Sequence, residues 1–193
     1  MPRPGEHAVH IGAGVGYYTA ILARLLGRRG RVTAIEFDPD LAARAASNLA
    51  GSRNVQVIQG DGSQVPFDTA EVILVNAGAT RPADIWLDRL RDGGRLILPL
   101  TTDKGHLGLE AGPIERRGAV FRIERRGENF AARRISAVAI FPCEGMRDPA
   151  AAAGLAAAFE KGRAREVTRL YRRDDLPEED CWVRGQGWCL AYR

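Results

Sequence analysis

Short apolar runs alternate with amphipathic segments through the first hundred residues of the chain. The run 8–11 is apolar and stops at glycine, which is typical of a buried strand. Apolar residues then recur at helical spacing up to a stop at Gly27, and they are Tyr18, Ile21, Leu22, Leu25 and Leu26. The pattern therefore predicts a strand that leads directly into a helix.

The same alternation continues, with further strands predicted at 31–36, 55–58, 71–75 and 95–98. A helix between the first two of these begins at Asp38 and Pro39, and its apolar stripe is Leu41, Ala45 and Leu49. A shorter helix is predicted around Ile85, Trp86 and Leu90. Parallel strands need crossover connections, and both faces of their sheet must be covered. The chain is therefore predicted to form an α/β fold with a doubly wound, mostly parallel sheet.

The second half of the chain follows a different pattern. Residues 120–126 and 130–141 resemble the arms of a hairpin that closes the sheet in antiparallel fashion. A later helix is predicted to begin at Pro149 and to end near Gly162, and its weak apolar face favours packing at the surface only. We therefore expect a main domain over 1–145, with the helix and tail of 146–193 packed on the same domain.

Two features of the tail carry further expectations. Five arginines between 163 and 173 precede five acidic residues between 174 and 180, and the two stretches are expected to neutralise each other largely. Trp182 and Trp188 are expected to anchor the tail on the sheet more readily than to line a pocket.

Composition bounds the class of protein. The chain has 193 residues, of which 45% are hydrophobic and 27% charged, and this is the range of a single globular domain. Its net charge of +4 gives little support for a partner made of nucleic acid. No apolar run is long enough to span a membrane and no apolar signal core follows Met1, so a cytoplasmic location is expected. Cys143, Cys181 and Cys189 are odd in number and lack metal-ligand spacing, which favours reduced structural thiols.

The most informative stretch is the glycine-rich turn after the first predicted strand. Glycines stand at 12, 14 and 16, and the helix that follows offers unpaired N–H groups to an anionic ligand. A dinucleotide site would place its third glycine at position 17, which is Tyr17, and no Walker lysine follows. A glycine turn without a ligand is the alternative.

Two acidic residues follow the next strands. Glu36 ends the second strand, where a carboxylate can accept both hydroxyls of a ribose. Asp61 follows the third strand between two glycines, where it could accept from the amine of an adenine. A solvated acid at 36 and an ordinary Asp-Gly turn at 61 are the alternatives.

Together these residues resemble the S-adenosylmethionine-binding half of the protein-L-isoaspartate O-methyltransferase family. The resemblance runs in order over about 4–145 and is carried by the segments 4–6, 10–17, 60–62, 92–96, 98–99 and 121–142, together with Glu36. It implies a Rossmann-like methyltransferase sheet, S-adenosylmethionine as cofactor, and methyl transfer to a carboxylate of a protein or peptide, such as the α-carboxylate of an isoaspartyl residue.

The resemblance also implies a set of cofactor-binding residues. Gly12, Ala13, Gly14 and Gly16 would lie against the methionine portion, Glu36 would hold the ribose, Phe37 would flank the adenine, Asp61 and Gly62 would lie at its edge, and Asn76 would lie beside the methyl group. His10 stands where the family carries an acid near the amino end of the cofactor. No catalytic residue is implied, and His7, His10 and His106 are not spaced as metal ligands.

Two departures keep other functions open. His10 and the roughly seven residues before the first strand, where the family has a substrate-recognition segment, suggest a methyltransferase-like binding module without turnover. The shortened front segment would also leave apolar surface exposed, which favours a homodimer. A nucleic-acid methyltransferase is suggested by pI ≈ 9.3 and by the arginine pairs at 116–117, 125–126 and 133–134. It is disfavoured because residues 76–79 lack the prolines and aromatic ring of base-amine methyltransferases.

Overall fold

The computed structural model describes residues 2–102 and 112–193, so Met1 and His106 lie outside the described residues. The strands are β1 (His7–Ile11), β2 (Arg31–Glu36), β3 (Val55–Gln59), β4 (Ala70–Val75), β5 (Leu90–Thr101), β6 (Gly118–Arg126), β7 (Asn129–Ala137), β8 (Arg169–Tyr171), β9 (Cys181–Gly185) and β10 (Trp188–Ala191). The helices are α1 (Tyr17–Leu26), α2 (Pro39–Asn48), α3 (Asp84–Asp88) and α4 (Pro149–Lys161).

The described strands form one sheet in the order β3-β2-β1-β4-β5-β6-β7-β8-β10-β9. The first five strands in this order are parallel, and β5, β6 and β7 pair in antiparallel fashion. Leu22 and Leu26 of α1 pack on one face against Ala8 and Val32. Trp86 of α3 and the buried residues of α4 pack on the core of the other face. The predicted doubly wound, mostly parallel α/β sheet with an antiparallel hairpin is confirmed.

The prediction that α4 packs at the surface only is wrong. Leu155 is fully buried, and Ala152, Ala158 and Phe159 are buried with it. The ring of Trp182 lies 5.1 Å from that of Phe159 and 5.3 Å from that of Phe121, measured between centroids. Alanines occur on every side of α4, so the sequence shows no clear apolar stripe. Their small side chains nevertheless let the helix approach the sheet closely. The expected anchoring role of Trp182 is confirmed.

Among the described ion pairs, Arg173 and Asp175 join the two charged stretches of the tail at 3.4 Å, but most pairs are with other segments, so the predicted mutual neutralisation is wrong in large part. Arg172 bonds to Asp84 at 3.3 Å and to Asp88 at 2.5 Å, both on α3. Asp180 pairs with Arg193 at 2.7 Å. The tail is strand-forming here, because β8 pairs with β7 and with β10 and thereby extends the sheet beyond the hairpin.

The expectation of three reduced thiols is also wrong. Cys181 and Cys189 form a disulfide across β9 and β10, with their Cα atoms 6.0 Å apart. Antiparallel pairing of these two strands brings the cysteines together, and this pairing could not be read from their spacing. Cys143 is free and buried, as predicted.

Two local predictions need correction. Tyr18, Ile21 and Leu25 of α1 are exposed, because the helix turns the smaller Thr19 and Ala23 toward the sheet. The short helix ends at Asp88, so Leu90 begins β5 instead. In the part of the chain that the structure describes, no helix combines the length and apolarity needed to cross a membrane.

Candidate functional site

The predicted site residues lie at or just after the carboxyl ends of four adjacent parallel strands. The amide of Gly12, after β1, donates to the carbonyl of Ile35 in β2 at 2.9 Å. The amide of Asn76, after β4, donates to the carbonyl of Ile11 in β1 at 2.8 Å. These bonds hold the turns that follow the strands side by side, so the glycine turn, Glu36, Asp61 and Asn76 lie along one edge of the sheet.

The three glycines of the turn serve different purposes. Gly12, Gly14 and Gly16 have φ of +75°, +57° and +90°, a conformation that strongly favours glycine. A Cβ on Gly16 would lie 2.7 Å from Cδ1 of Leu49, so this position lets α1 pack on the end of α2. A Cβ on Gly14 would meet nothing within 4 Å. The backbone at Gly14 is therefore the part of the turn that a ligand can approach.

Glu36 ties the glycine turn to the end of β2. Its side chain is buried, and Oε2 accepts the amide of Gly14 at 2.6 Å while Oε1 accepts the amide of Asp38 at 3.0 Å. An ionised carboxylate has about four acceptor positions, so two remain for other donors. Glu36 is therefore buried and bonded to the glycine turn, and it is not a solvated acid at a strand end.

Asp61 and Gly62 form a tight turn after β3. Oδ1 of Asp61 accepts the amide and the hydroxyl of Ser63 at 2.8 and 2.7 Å, as in an ordinary Asx turn. A Cβ on Gly62 would lie 2.4 Å from Cγ2 of Ile11, so this glycine is required for packing. Phe37, in the turn after β2, exposes 48% of its surface. The structure therefore shows a packing role for Gly62 and an accessible ring at Phe37.

Asn76 and Ala13 lie close to the backbone of the same edge. The Asn76 amide nitrogen lies 3.5 Å from the carbonyl oxygen of Gly12, and its side chain is half-buried. Ala13 is buried, and its amide donates to the carbonyl of Ile35 at 3.2 Å.

His10 lies in β1 under the start of α1 and is fully buried. Its Nδ1 lies 2.8 Å from Oγ1 of Thr19, whereas Nε2 has no hydrogen-bond partner among the described residues. Burial lowers the pKa of His10 to about 4, so the ring is neutral at neutral pH. Position 10 therefore brings no charge to the site.

Sequence reasoning missed a segment that crosses the strand edge, at residues 141–147. The amide of Gly78 donates to the carbonyl of Phe141 at 2.7 Å, and the amide of Cys143 donates back to Gly78 at 2.9 Å. Gly145 lies so close to Asp61 that a Cβ would be 2.3 Å from Oδ2. A side chain at position 145 would collide with Asp61, so the segment needs a glycine there. This glycine was the one sign of the segment that the sequence offered.

Neither thiol chemistry nor a metal centre emerges from the described part of this edge. Burial, reinforced by the nearby charge of Asp61, raises the pKa of Cys143 to about 12, so its thiol is protonated and a poor nucleophile. Among the described residues, no group of three or more His, Cys, Asp or Glu side chains could hold a metal ion.

Comparison with known proteins decides the family. A family model described as Protein-L-isoaspartate(D-aspartate) O-methyltransferase matches residues 3–122, which is more than half of the chain. The chain belongs to this family. The protein-L-isoaspartate O-methyltransferase of Ignicoccus hospitalis is 32% identical over 147 residues, which cover 72% of this chain and 63% of the relative. The enzyme of that name from Pyrobaculum neutrophilum is 31% identical over 149 residues, which cover 73% and 65%. The chain therefore spans less than two thirds of the length of these family members.

Solved structures show the same fold. One named protein-L-isoaspartate O-methyltransferase covers 93% of this chain and 52% of its own, with a TM-score of 0.65 and 23% identity. A second, titled as a putative enzyme of that name from Plasmodium falciparum in complex with S-adenosyl-L-homocysteine, covers 74% and 67%, with a TM-score of 0.61 and 21% identity. The first match covers so much of the chain that the shared fold extends into the tail of 146–193.

Proposed function

We propose that this chain is the cofactor-binding and catalytic part of an S-adenosylmethionine-dependent methyltransferase that methylates isoaspartyl carboxylates in proteins or peptides. The observation that carries the proposal is the Glu36 carboxylate, which is buried, holds the amide of Gly14, and lies on the same strand edge as Asp61 and Asn76. Membership of the family supports the reaction. The chain spans only part of its relatives, so the activity needs its own test.

The donor and acceptor groups of the strand edge fit this cofactor. Open space beside Gly14 lets the backbone approach the methionine portion, and the free acceptor positions of Glu36 suit the two ribose hydroxyls. The exposed ring of Phe37 offers a stacking surface for the adenine. Oδ2 of Asp61 accepts one described bond, from Gln64 at 3.1 Å, so it has acceptor capacity left for the adenine amine, which would have to approach beside the backbone of Gly145.

Alignment of the acceptor carries most of the proposed chemistry. When bound, S-adenosylmethionine supplies a methyl group on a sulfonium, which a carboxylate takes without a general base. Asn76 and the segment 141–147 form the part of the edge where the acceptor would be held and shielded from water. Cys143 is protonated, so we assign it no part in the reaction.

His10 has a positioning role in this proposal. The buried ring bonds to Thr19 in the first turn of α1 and thereby supports the glycine turn from beneath. A neutral imidazole cannot attract the ammonium of the cofactor as the acid of the family would. We therefore expect the amino end of the cofactor to be held mainly by backbone groups of the turn.

The assay for the function uses an isoaspartyl peptide and its ordinary aspartyl twin. The proposal predicts a base-labile methyl ester on the isoaspartyl peptide alone. Cofactor binding with no methyl transfer to any protein or peptide would replace the proposal with a binding module. Methylation of RNA in place of peptide would replace it with a nucleic-acid methyltransferase.

We further propose that the chain forms a homodimer through α1. Tyr17, Tyr18, Ile21 and Leu25 are 67%, 51%, 41% and 44% exposed and form one apolar stripe along the helix. A second copy can cover this stripe with its own in an isologous contact. Light scattering should then give twice the chain mass of 21.0 kDa, and an Ile21→Glu variant should give a monomer. A wild-type monomer at all concentrations would contradict this proposal.

A cytoplasmic location is also part of the proposal, and the disulfide between Cys181 and Cys189 bears on it. A reducing cytoplasm keeps most thiols free, so these two cysteines should be reduced in freshly lysed cells if the location is right. A fully oxidised pair in lysate quenched with an alkylating agent would favour an oxidising compartment.

A further inference from the structure

A basic cavity lies at the edge of the sheet opposite the proposed cofactor site. The last turn of α1 forms one side, and the loop between α2 and β3 forms the other. α1 begins at the glycine turn and is ten residues long, so its two ends are about 15 Å apart. The cavity volume is about 530 Å³. It is therefore a separate place on the molecule from the strand edge that carries Glu36 and Asp61.

Three arginines line this cavity, and none of the described acidic residues does. Arg24 is in the last turn of α1, Arg28 follows the glycine that ends this helix, and Arg53 is in the loop before β3. All three are exposed, and in the described part of the chain none of them forms an ion pair. Like charges that line one cavity repel each other, although the partial negative charge at the C-terminal end of α1 offsets part of this cost for Arg24 in its last turn and for Arg28 just beyond it. Arg53 lies in the loop before β3, so the partial charge of the helix end does not account for the presence of a third arginine at this cavity.

One side chain joins the two sides of the cavity. Nδ2 of Asn54 donates to the carbonyl of Ala23 and to the carbonyl of Gly27, both at 3.1 Å. This clamp fixes the loop against the end of α1 and so keeps Arg53 on the same cavity as Arg24 and Arg28. A Cβ on Gly27 or on Gly51 would meet nothing within 4 Å, so the backbone between the arginines faces open space.

We propose that this cavity binds a small polyphosphate anion, namely a diphosphate group that is either free or part of a nucleotide. The planar guanidinium group bonds to two phosphate oxygens at once, and three such groups around one concavity match a multiply charged anion. A bound diphosphate would neutralise the repulsion among the three arginines. An open cavity between a helix end and a loop, bounded by only eight residues, suits a compact anion better than an extended strand of nucleic acid.

Titration calorimetry with inorganic pyrophosphate tests the proposal on the whole chain. Wild-type protein should bind, with an affinity that falls as salt is raised. The variant R24Q/R28Q/R53Q should bind at least about tenfold more weakly. The control R133Q/R165Q/R169Q removes the same charge from exposed positions elsewhere and should change the affinity by less than about twofold. A parallel titration with uridine diphosphate distinguishes a free diphosphate from a nucleotide as the ligand. If uridine diphosphate binds more tightly than pyrophosphate, the ligand is a nucleotide. If the two bind equally, the ligand is a free diphosphate.

Amide chemical shifts locate the anion independently of the variants. Titration of ¹⁵N-labelled wild-type protein with pyrophosphate should move the signals of Gly27, Gly51 and Asn54 most. This arm, together with the single variant R53Q, keeps the test decisive if the triple variant does not fold. The proposal is overturned by absence of binding at millimolar pyrophosphate, by an equal loss in the control variant, or by shifts that cluster away from these amides.

Discussion

His10 should make the fold sensitive to mild acid. Its ring is fully buried, and in the described part of the chain Nε2 has no hydrogen-bond partner that could stabilise a second proton. Burial lowers its pKa from 6.5 to about 4 in the folded state. The unfolded chain therefore takes up a proton over a range of pH in which the folded chain does not. The stability due to neutral His10 is fully present above the unfolded value and is lost as the pH falls toward the folded value.

The size of the effect follows from the two pKa values. The gap between them corresponds to roughly 3 kcal/mol, since each tenfold change in proton affinity is worth about 1.4 kcal/mol. The part lost between about pH 7 and about pH 5 is about 2 kcal/mol. Most carboxylates stay ionised over this interval, so the histidines dominate the change. A loss of this size is a large fraction of the stability of an ordinary domain.

Urea unfolding at the two pH values measures this loss directly. His10→Gln keeps a polar group that can bond to Thr19 but cannot titrate, so this variant should lose about 2 kcal/mol less than wild type on acidification. His7→Gln is the comparison variant. His7 is also buried and burial lowers its pKa, but both of its ring nitrogens have partners. His7→Gln should therefore reduce the acid sensitivity less than His10→Gln does. Equal acid sensitivity in wild type and His10→Gln would refute the reasoning.

Three further predictions concern the fold. Gly62→Ala should lower the free energy of unfolding by about 1–3 kcal/mol because its Cβ would overlap Ile11, whereas Gly51→Ala, in open space, should lower it by less than about 0.5 kcal/mol, and equal effects in urea unfolding would contradict this. Glu6→Gln should cost about 3 kcal/mol in the same assay because it removes the carboxylate 2.6 Å from the buried guanidinium of Arg95, and a cost below about 1 kcal/mol, typical of an exposed pair, would contradict this. Protein purified in air, then unfolded and alkylated, should show by mass spectrometry one modified cysteine without reductant and three with it, and three without reductant would exclude the disulfide.

The order of strands and helices in the first half of the chain could be predicted because local signals mark it. Asp38 caps α2 with its own carboxylate, which accepts the amide of Leu41 at 2.9 Å, and Gly27 ends α1 with φ of +67°. Such signals depend on neighbours in sequence, so they can be read without knowledge of the tertiary contacts.

The tail could not be predicted in the same way, because contacts distant in sequence determine it. The buried face of α4 is formed by Leu155 and Phe159 against Trp182, and no local pattern announces that partner. Cys181 and Cys189 meet only because β9 and β10 pair. The wrong expectations for the tail thus share one cause.

At the candidate site, the sequence indicated the residues better than their roles. The motif led to Glu36 and the glycine turn, and the structure shows that they bond to each other. The packing function of Gly62 against Ile11 depends on the registry of two strands and has no sequence signal. Residues 141–147 pass close to Asp61 at Gly145. They follow the hairpin in the sequence, so only the fold brings them to the strand edge.

Calorimetric titration with S-adenosylmethionine tests the central claim most directly. Wild-type protein should bind the cofactor at one site, and Glu36→Gln should weaken binding by about 1.5–3 kcal/mol, since it removes a charged acceptor of the ribose hydroxyls. Asp40→Asn is the matched control, because it removes the same charge from an exposed position nearby on α2, and it should leave the affinity within about twofold of wild type. Absence of binding by wild-type protein at millimolar cofactor, or equal losses in the two variants, would contradict the account.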